Sequence, residues 1–440
     1  MKETSQEMLW YGSNKALPPI HQLKAGRLEL NYTSGLIRDI KINGIEVLRM
    51  VYFALRDSKW NTIQPKVENE VFAQSEASFE LAFDCIYQSK EIDFIFHASI
   101  QGTALNQLVF EIRGEAFSDF QTNRTGFCVL HPIGNCAGED CKIVAPDGSM
   151  SIARFPVFVS PHQPMFNIAQ MSWNIGDDGK ATLEFSGDVF EMEDQRNWTD
   201  DSYKTYCRPL ALPFPYDLQK GDKIHQQIRL EVEAPAISNA QRNQEYLFRF
   251  DNRGVKTLPK IGIGRPKITP VLSEHEARLI ADVGFDFYDV ALAFVDGWQA
   301  ELKNATQEAK VLGLSLKLEV QFSDNYKDQI DALKQACENE NCVPSHIMML
   351  RSGKLVTPDA FTDLALPLLR KAFPLAAIGG GTMGFFAGLN RNRILHQELD
   401  FVSYAINPQV HAVDQQTLIE NLKGQSATVI TAKSFRIKRG

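Results

Sequence analysis

Cysteine is scarce, with seven residues in 440, and the number is odd. A small stapled secreted scaffold would be cysteine-dense, so Cys85, Cys128, Cys136, Cys141, Cys207, Cys337 and Cys342 read as reduced thiols of a cytoplasmic protein. Cys136 and Cys141 stand close to Cys128 but have no Cys-x-x-Cys or His-x-x-His partner, so no metal is expected. No apolar run approaches the roughly 20 residues needed to cross a bilayer. The opening MKETSQEMLWYG lacks the apolar core of a secretory signal. Neither a membrane nor export is expected. Long basic runs are also missing: 46 Lys and Arg face 54 Asp and Glu, a formal charge of −8. Such a chain is poorly suited to gripping a phosphate backbone, which argues against a nucleic-acid partner. What is present is 44% hydrophobic and 23% charged, the composition of an ordinary folded protein with a large core. At about 150 residues per domain, the length suits about three domain-sized units, or a sandwich plus a barrel.

The chain changes character near residue 235. Before it, Phe79–Phe83, Ile92–Ile100, Gln107–Arg113 and Ile224–Val232 alternate apolar and polar residues with the period of a half-buried strand. Turn signals separate such runs: Asn43-Gly44, Asp147-Gly148, Asp177-Asp178-Gly179 and Lys220-Gly221-Asp222. Many short strands without a long helical pattern predict an antiparallel β-sandwich over 1–234. Residues 235–257 read as a linker.

From 258 to 440 strands and helices alternate. Pro259–Gly264, Phe285–Phe294, Leu314–Phe322, His346–Arg351, Ala376–Gly380 and Phe401–Ile406 read as strands. Helices are expected at Ser273–Gly284 with a Ser273/Glu276 capping box, at Gly297–Leu312 ended by Gly313, at Asn325–Glu338, after Thr357-Pro358, and after Asp414. A repeated βα unit predicts a parallel sheet, most simply a (β/α) barrel. Six strands do not close an eight-stranded barrel, and Ser426–Arg436 reads equally as a seventh strand or a helix.

Leu314, Leu316, Leu318, Val320 and Phe322 form one apolar face, so Ser315, Lys317, Glu319 and Gln321 point into the barrel. A buried ammonium and carboxylate need pairing or water, which makes Lys317 and Glu319 either a structural pair or active-site groups. Gly262 and Gly264 face the same way and leave space for a ligand. Around the strand ends stand Arg265 and Arg351 for a carboxylate or oxyanion, Asp289 for substrate hydroxyls, and His411 for proton movement. Asn407 shares the strand face that leads to His411. The glycines of Gly379-Gly-Gly-Thr382 match neither a P-loop nor a dinucleotide fingerprint; they read as a tight strand-end turn, and no cofactor is expected. No Gly-x-Ser-x-Gly elbow is present. In the sandwich, the run 190–206 gathers Asp194, Arg196 and Trp198, a pattern that suits carbohydrate recognition and a buried ion-pair interface equally. His131 ends a strand and is either a partner of that run or simply hydrogen-bonded.

These strings also carry a resemblance. Glu191-Met-Glu-Asp-Gln-Arg-Asn-Trp-Thr-Asp200, Ser202-Tyr-Lys-Thr-Tyr206, Pro209-Leu-Ala-Leu-Pro213, Thr122-Asn-Arg-Thr-Gly-Phe127 and Val129-Leu-His-Pro132 resemble the D-apionate lactonase family. So do Gly379-Gly-Gly-Thr382 with Leu389-Asn-Arg391, and Ser403-Tyr-Ala-Ile-Asn-Pro-Gln-Val-His411. The likeness runs from about Trp10 to the C-terminus. It implies a β-sandwich joined to a TIM-like barrel and hydrolysis of a branched-sugar lactone to its acid. The family barrel continues past the point matching Gly440, so the resemblance favours a helix at Ser426–Arg436 and a barrel truncated here. Asn390 joins the substrate-binding candidates on this ground.

The mechanism expected from strand geometry is attack of water on a lactone carbonyl. Glu319 is its base, positioned by Lys317; Arg265 or Arg351 holds the oxyanion, and His411 with Asn407 binds hydroxyls or shuttles the proton. A small sugar acid or lactone is the expected partner. A glycoside hydrolase using Asp289 with Glu319, or a non-catalytic sugar-binding protein or truncated remnant that binds through Asp194–Lys204, are the alternatives.

Overall fold

The computed structural model describes residues 5–14, 17–235, 257–266 and 271–435. The expected linker at 235–257 lies, apart from its two end residues, outside them. Among the described residues, those up to 235 together with Pro408–Thr428 form one compact unit; those from 257 to 407 with 429–435 form the other.

The first unit is built on two nine-stranded antiparallel sheets. One centres on the long strands Ile45–Asp57 and Phe120–Pro132, which pair from Met50↔Leu130 to Asp57↔Thr122. The other centres on Asp93–Thr103, Gln107–Ala116 and Lys223–Glu233. The alternation in the sequence fixes which side chains meet: Phe94, Phe96, Phe110 and Ile112 are buried, while the residues between them are more open. Phe53 from the first sheet packs against Phe96 of the second at 4.8 Å between ring centroids, and one continuous apolar core draws on both sheets. Burying that many aromatic and branched side chains, at roughly 25 cal/mol per Å², is the main force closing the sandwich.

The second unit is a six-stranded parallel sheet, in chain order Gly262–Gly264, Phe287–Ala293, Ser315–Phe322, His346–Arg351, Ala377–Phe385 and Phe401–Ala405. It curls into a half-barrel whose helices include Glu274–Ala281, Trp298–Leu312, Tyr326–Asn339 and Asp359–Ala372. Leu316, Leu318, Val320 and Phe322 are buried, and Ser315, Lys317, Glu319 and Gln321 are not. The Ser273/Glu276 capping box forms, and Gly313 ends its helix at φ 68°.

Three local expectations give way. Thr357 caps no helix, because its hydroxyl donates to the Met349 carbonyl; the helix starts at Asp359 behind Pro358. Gly379–Thr382 is no turn but part of the strand Ala377–Phe385. Its glycines answer to close packing: a Cβ on Gly379 would stand 2.5 Å from the Phe401 ring, and Gly381 lies against the Ser403 carbonyl. Ser426–Arg436 is helical as far as Phe435, the end of Gln415–Phe435.

Candidate functional site

Parallel register brings the charged residues of neighbouring strands into rows. Gly264, Asp289, Lys317 and His346 are successive Cα partners, and Ala291, Glu319 and Met348 form the next row. Lys317 therefore lies between two carboxylates, its Nζ 2.5 Å from Asp289 Oδ2 and 3.3 Å from Glu319 Oε1. The three side chains keep 15%, 23% and 18% exposure for Lys317, Asp289 and Glu319, so solvent or a ligand reaches them. Asp289 Oδ1 has no hydrogen-bond partner among the described residues. The cluster sits in the middle of its strands rather than at their C-terminal rim, where barrel enzymes usually work.

His346 is a member of this row that sequence reasoning did not single out. Its Nδ1 lies 2.9 Å from Ser345 Oγ, and its ring meets Phe401 edge-on. Burial lowers its pKa, and the Lys260 and Lys317 ammonium groups add to the effect. The register of its strand against Lys317 was the available signal. The space expected beside Gly262 is filled by the Phe287 ring, whereas that beside Gly264 is open.

Neither arginine joins the cluster. Arg265 is paired with Glu301 and Glu308, with Nε 2.6 Å from Glu308, which also accepts from the Tyr288 hydroxyl. Those carboxylates belong to the covering helix Trp298–Leu312, so Arg265 faces the helix layer. Arg351 pairs with Asp324, donates to the Phe322 carbonyl and lies over the Phe361 ring. Asn390 is buried and accepts from Arg393, and Asn407 is half-buried after the last strand.

His411 belongs to the sandwich unit. Its Nδ1 is paired with Asp200 and lies 3.3 Å from Gln195 Nε2, while Trp198 stands edge-on to its ring. Asn421 Nδ2 donates to the other Asp200 oxygen at 2.7 Å. A carboxylate that accepts a hydrogen bond from Nδ1–H holds the proton on that nitrogen and leaves the Nε2 lone pair for an incoming proton. Asp200 was inside the run 190–206, but nothing in its spacing pointed to His411, 211 residues away.

The rest of that run is committed inward. Arg196 donates to Asp194 and to the carbonyls of Pro156 and Val157, and both partners of the ion pair are essentially without exposure. Burial works to raise Glu193, but the Lys204 ammonium, with His411 and Arg124, outweighs it and holds the carboxyl at about 2. His131 is fully buried, with Nε2 2.8 Å from Thr205 Oγ1, and burial depresses it to about 3, so it is a neutral core histidine at neutral pH. Among the described residues, no group of three or more His, Cys, Asp or Glu is placed to hold a metal. No helix among them is long and apolar enough to cross a membrane.

A β-sandwich carried on the same chain as a TIM-type half-barrel, with an acid–base cluster on the inner face of the parallel sheet, defines a two-domain barrel protein. Residues 8–235 match the family model for the D-apionate lactonase N-terminal domain, and residues 261–439 that for the D-apionate lactonase TIM barrel domain. The chain is 31% identical to a D-apionate lactonase of Brucella anthropi over 444 residues, covering 94% of this chain and 70% of that protein. It belongs to the D-apionate lactonase family, and that membership supports a lactonase-like function. Among solved structures, galactose 1-epimerase from Lactobacillus acidophilus overlaps 50% of this chain and 96% of its own, at 7% identity and a TM-score of 0.32. A GalM/aldose epimerase homologue from C. elegans overlaps 49% and 99%, at 8% identity and a TM-score of 0.26. Likenesses this weak bear on no part of the functional reading.

Proposed function

We propose that the chain hydrolyses a sugar-acid lactone, opening the ring ester to the free hydroxy acid. The observation that carries this reading is the 31% identity to a D-apionate lactonase, sustained over 94% of the chain. The inner-face cluster supplies suitable chemistry. Glu319 takes a proton from water as its oxygen attacks the carbonyl carbon, and the Lys317 ammonium offsets the charge developing on the carbonyl oxygen. Collapse breaks the ring C–O bond, and the departing oxygen takes the proton back as a hydroxyl. Asp289, whose side chain keeps 23% exposure, accepts a substrate hydroxyl. Arg265 and Arg351 are left out of this mechanism because their guanidinium groups are engaged on the helix side of the sheet. A second reading of the base is His411, favoured by its pairing with Asp200.

A pH-indicator assay against a panel of aldonolactones including apionolactone, with aryl glycosides alongside, tests the proposal. Acid release from a lactone that fails in Glu319→Gln and survives in His411→Gln supports the first base; the reverse pattern supports the second. A folded protein that releases no acid from any lactone contradicts both.

A further inference from the structure

Two cysteines of the half-barrel are brought together by the way one helix ends. The helix Tyr326–Asn339 buries Ile330, Leu333 and Cys337 along one stripe. Just past it, Asn341 takes the left-handed conformation at φ 48°, which asparagine tolerates better than most side chains. The Asn341 N–H donates to the Glu338 carbonyl at 3.1 Å, and the Cys342 N–H reaches back to the Cys337 carbonyl at 2.8 Å. This pair of bonds is a Schellman motif, which sets the residue after the left-handed one against a residue of the last helical turn. An apolar pair commonly fills those two positions; here both are cysteines.

The reach suits a covalent bridge. Spans of about 1.5 Å from Cα to N and about 2.4 Å from Cα to O flank the 2.8 Å bond. The two Cα atoms are therefore within about 6.7 Å of each other, no farther apart than the roughly 6.8 Å that disulfides span. The surroundings also divide the labour between the thiols. Hydrogen bonding from Cys337 pulls the Cys342 thiol below its ordinary pKa against the effect of burial, and Thr306 and the Lys310 ammonium add to the pull while Glu340 opposes it. Lys310 is fastened at the turn by its own bond, from Nζ to the Glu340 carbonyl at 2.8 Å. The same contact moves Cys337 up, so the proton stays on Cys337 and the charge goes to Cys342. Burial pushes Cys85, Cys136, Cys141 and Cys207 up instead. Cys342 keeps 9% exposure, the most of the seven, and stands between the exposed Asn341 and Val343, so a small oxidant reaches it from the turn.

We propose that Cys337 and Cys342 form a dithiol oxidised by hydrogen peroxide, with Cys342 as the attacking thiolate and Cys337 as the resolving thiol. The Cys342 sulfur attacks one peroxide oxygen, the O–O bond breaks, and Cys342 becomes a sulfenic acid. The hydroxide that leaves takes up the proton Cys342 had released. The Cys337 sulfur then attacks the Cys342 sulfur; the S–S bond forms, the S–O bond breaks, and the second hydroxide leaves with the Cys337 proton as water. The two sulfurs lose two electrons, and one peroxide becomes two waters. The bridge ties the end of Tyr326–Asn339 to the segment entering the strand His346–Arg351, and a thiol reductant reopens it by exchange. None of this rests on the lactonase reading.

Peptide mapping tests the proposal. Trypsin cuts after Lys334 and Arg351 and at no site between, so both cysteines fall in one peptide, 335–351. The full chain, reduced and freed of reductant, is treated with a few equivalents of hydrogen peroxide at neutral pH, alkylated in denaturant, digested and weighed by mass spectrometry. Peptide 335–351 is expected to become two hydrogens lighter and lose both alkylation sites together, at least about tenfold faster than any other cysteine peptide is oxidised. Cys337→Ser should stop the reaction at a Cys342 sulfenic acid that dimedone traps. Cys342→Ser should slow loss of the Cys337 thiol by at least about tenfold. A wild-type peptide 335–351 that stays reduced, or is oxidised no faster than the others, overturns the proposal without recourse to a variant. Oxidation of Cys337 at the wild-type rate in a folded Cys342→Ser chain overturns it equally.

Discussion

Acidification will test the assignment of His131 to the core. In the folded protein its imidazole is buried without exposure, Nε2 faces Thr205, and Nδ1 has no partner among the described residues, so a proton there would bring an uncompensated charge into the sandwich. Burial lowers its pKa from 6.5 to about 3. Between those values the unfolded chain binds a proton that the folded chain does not. The contribution is therefore fully present above pH 6.5 and is lost as pH falls toward 3. The slope rises from half its full value at pH 6.5 to about 1.4 kcal/mol per pH unit below, so about 2 kcal/mol disappears between pH 6.5 and 4.5. Urea unfolding at pH 6.5, 5.5 and 4.5, followed by tryptophan fluorescence, reads this loss in the right place, because Trp10, Trp60, Trp173 and Trp198 all precede residue 235. His131→Leu, which has no proton to gain, should show a shallower decline by that amount. Parallel declines in the two proteins, or an imidazole that titrates near pH 6.5 in the folded chain, would refute the reasoning.

Three further outcomes are expected. Asp194→Asn leaves Arg196 buried without its counter-charge and should cost about 3–5 kcal/mol, measured by urea unfolding; a loss below 1 kcal/mol would mean that the backbone carbonyls on Arg196 suffice. Gly313→Ala must hold φ 68° at a helix end and should lower stability by about 1 kcal/mol, read as a shifted denaturation midpoint of the half-barrel. Glu319→Gln should lower lactone turnover by roughly 10²–10⁴-fold, the usual worth of a general base, with the circular dichroism spectrum unchanged; turnover at the wild-type rate would remove Glu319 from the mechanism.

Most of the architecture was legible because its determinants are local. Alternation gave the sandwich strands, and the Ser273/Glu276 box and Gly313 marked helix ends with their own side-chain chemistry. Misreadings arose where a residue answers to a distant neighbour. Thr357 carries the signature of a cap, yet its hydroxyl goes to Met349 on the adjoining strand, and the glycine run reads as a turn because the Phe401 ring that needs its space lies more than twenty residues on. Ser426–Arg436 was undecided because Thr428 and Thr431 are buried there while Val429 and Ile430 are exposed, so no apolar period shows. At the site, alternation placed Lys317 and Glu319 on one side of their strand. The same alternation, carried one residue past Gly264, puts Arg265 on the helix side, where Glu308 holds it. The pairing of His411 with Asp200 joins segments 211 residues apart and left no trace in either.

The central claim is that this chain opens the ring ester of a sugar-acid lactone. The most direct measurement follows the carbonyl carbon of ¹³C-labelled apionolactone by NMR in the presence of the purified chain, against a buffer blank. The account predicts conversion of the lactone signal to the carboxylate signal at a rate proportional to protein concentration and well above the blank. A rate equal to the blank, with the protein folded, would contradict it.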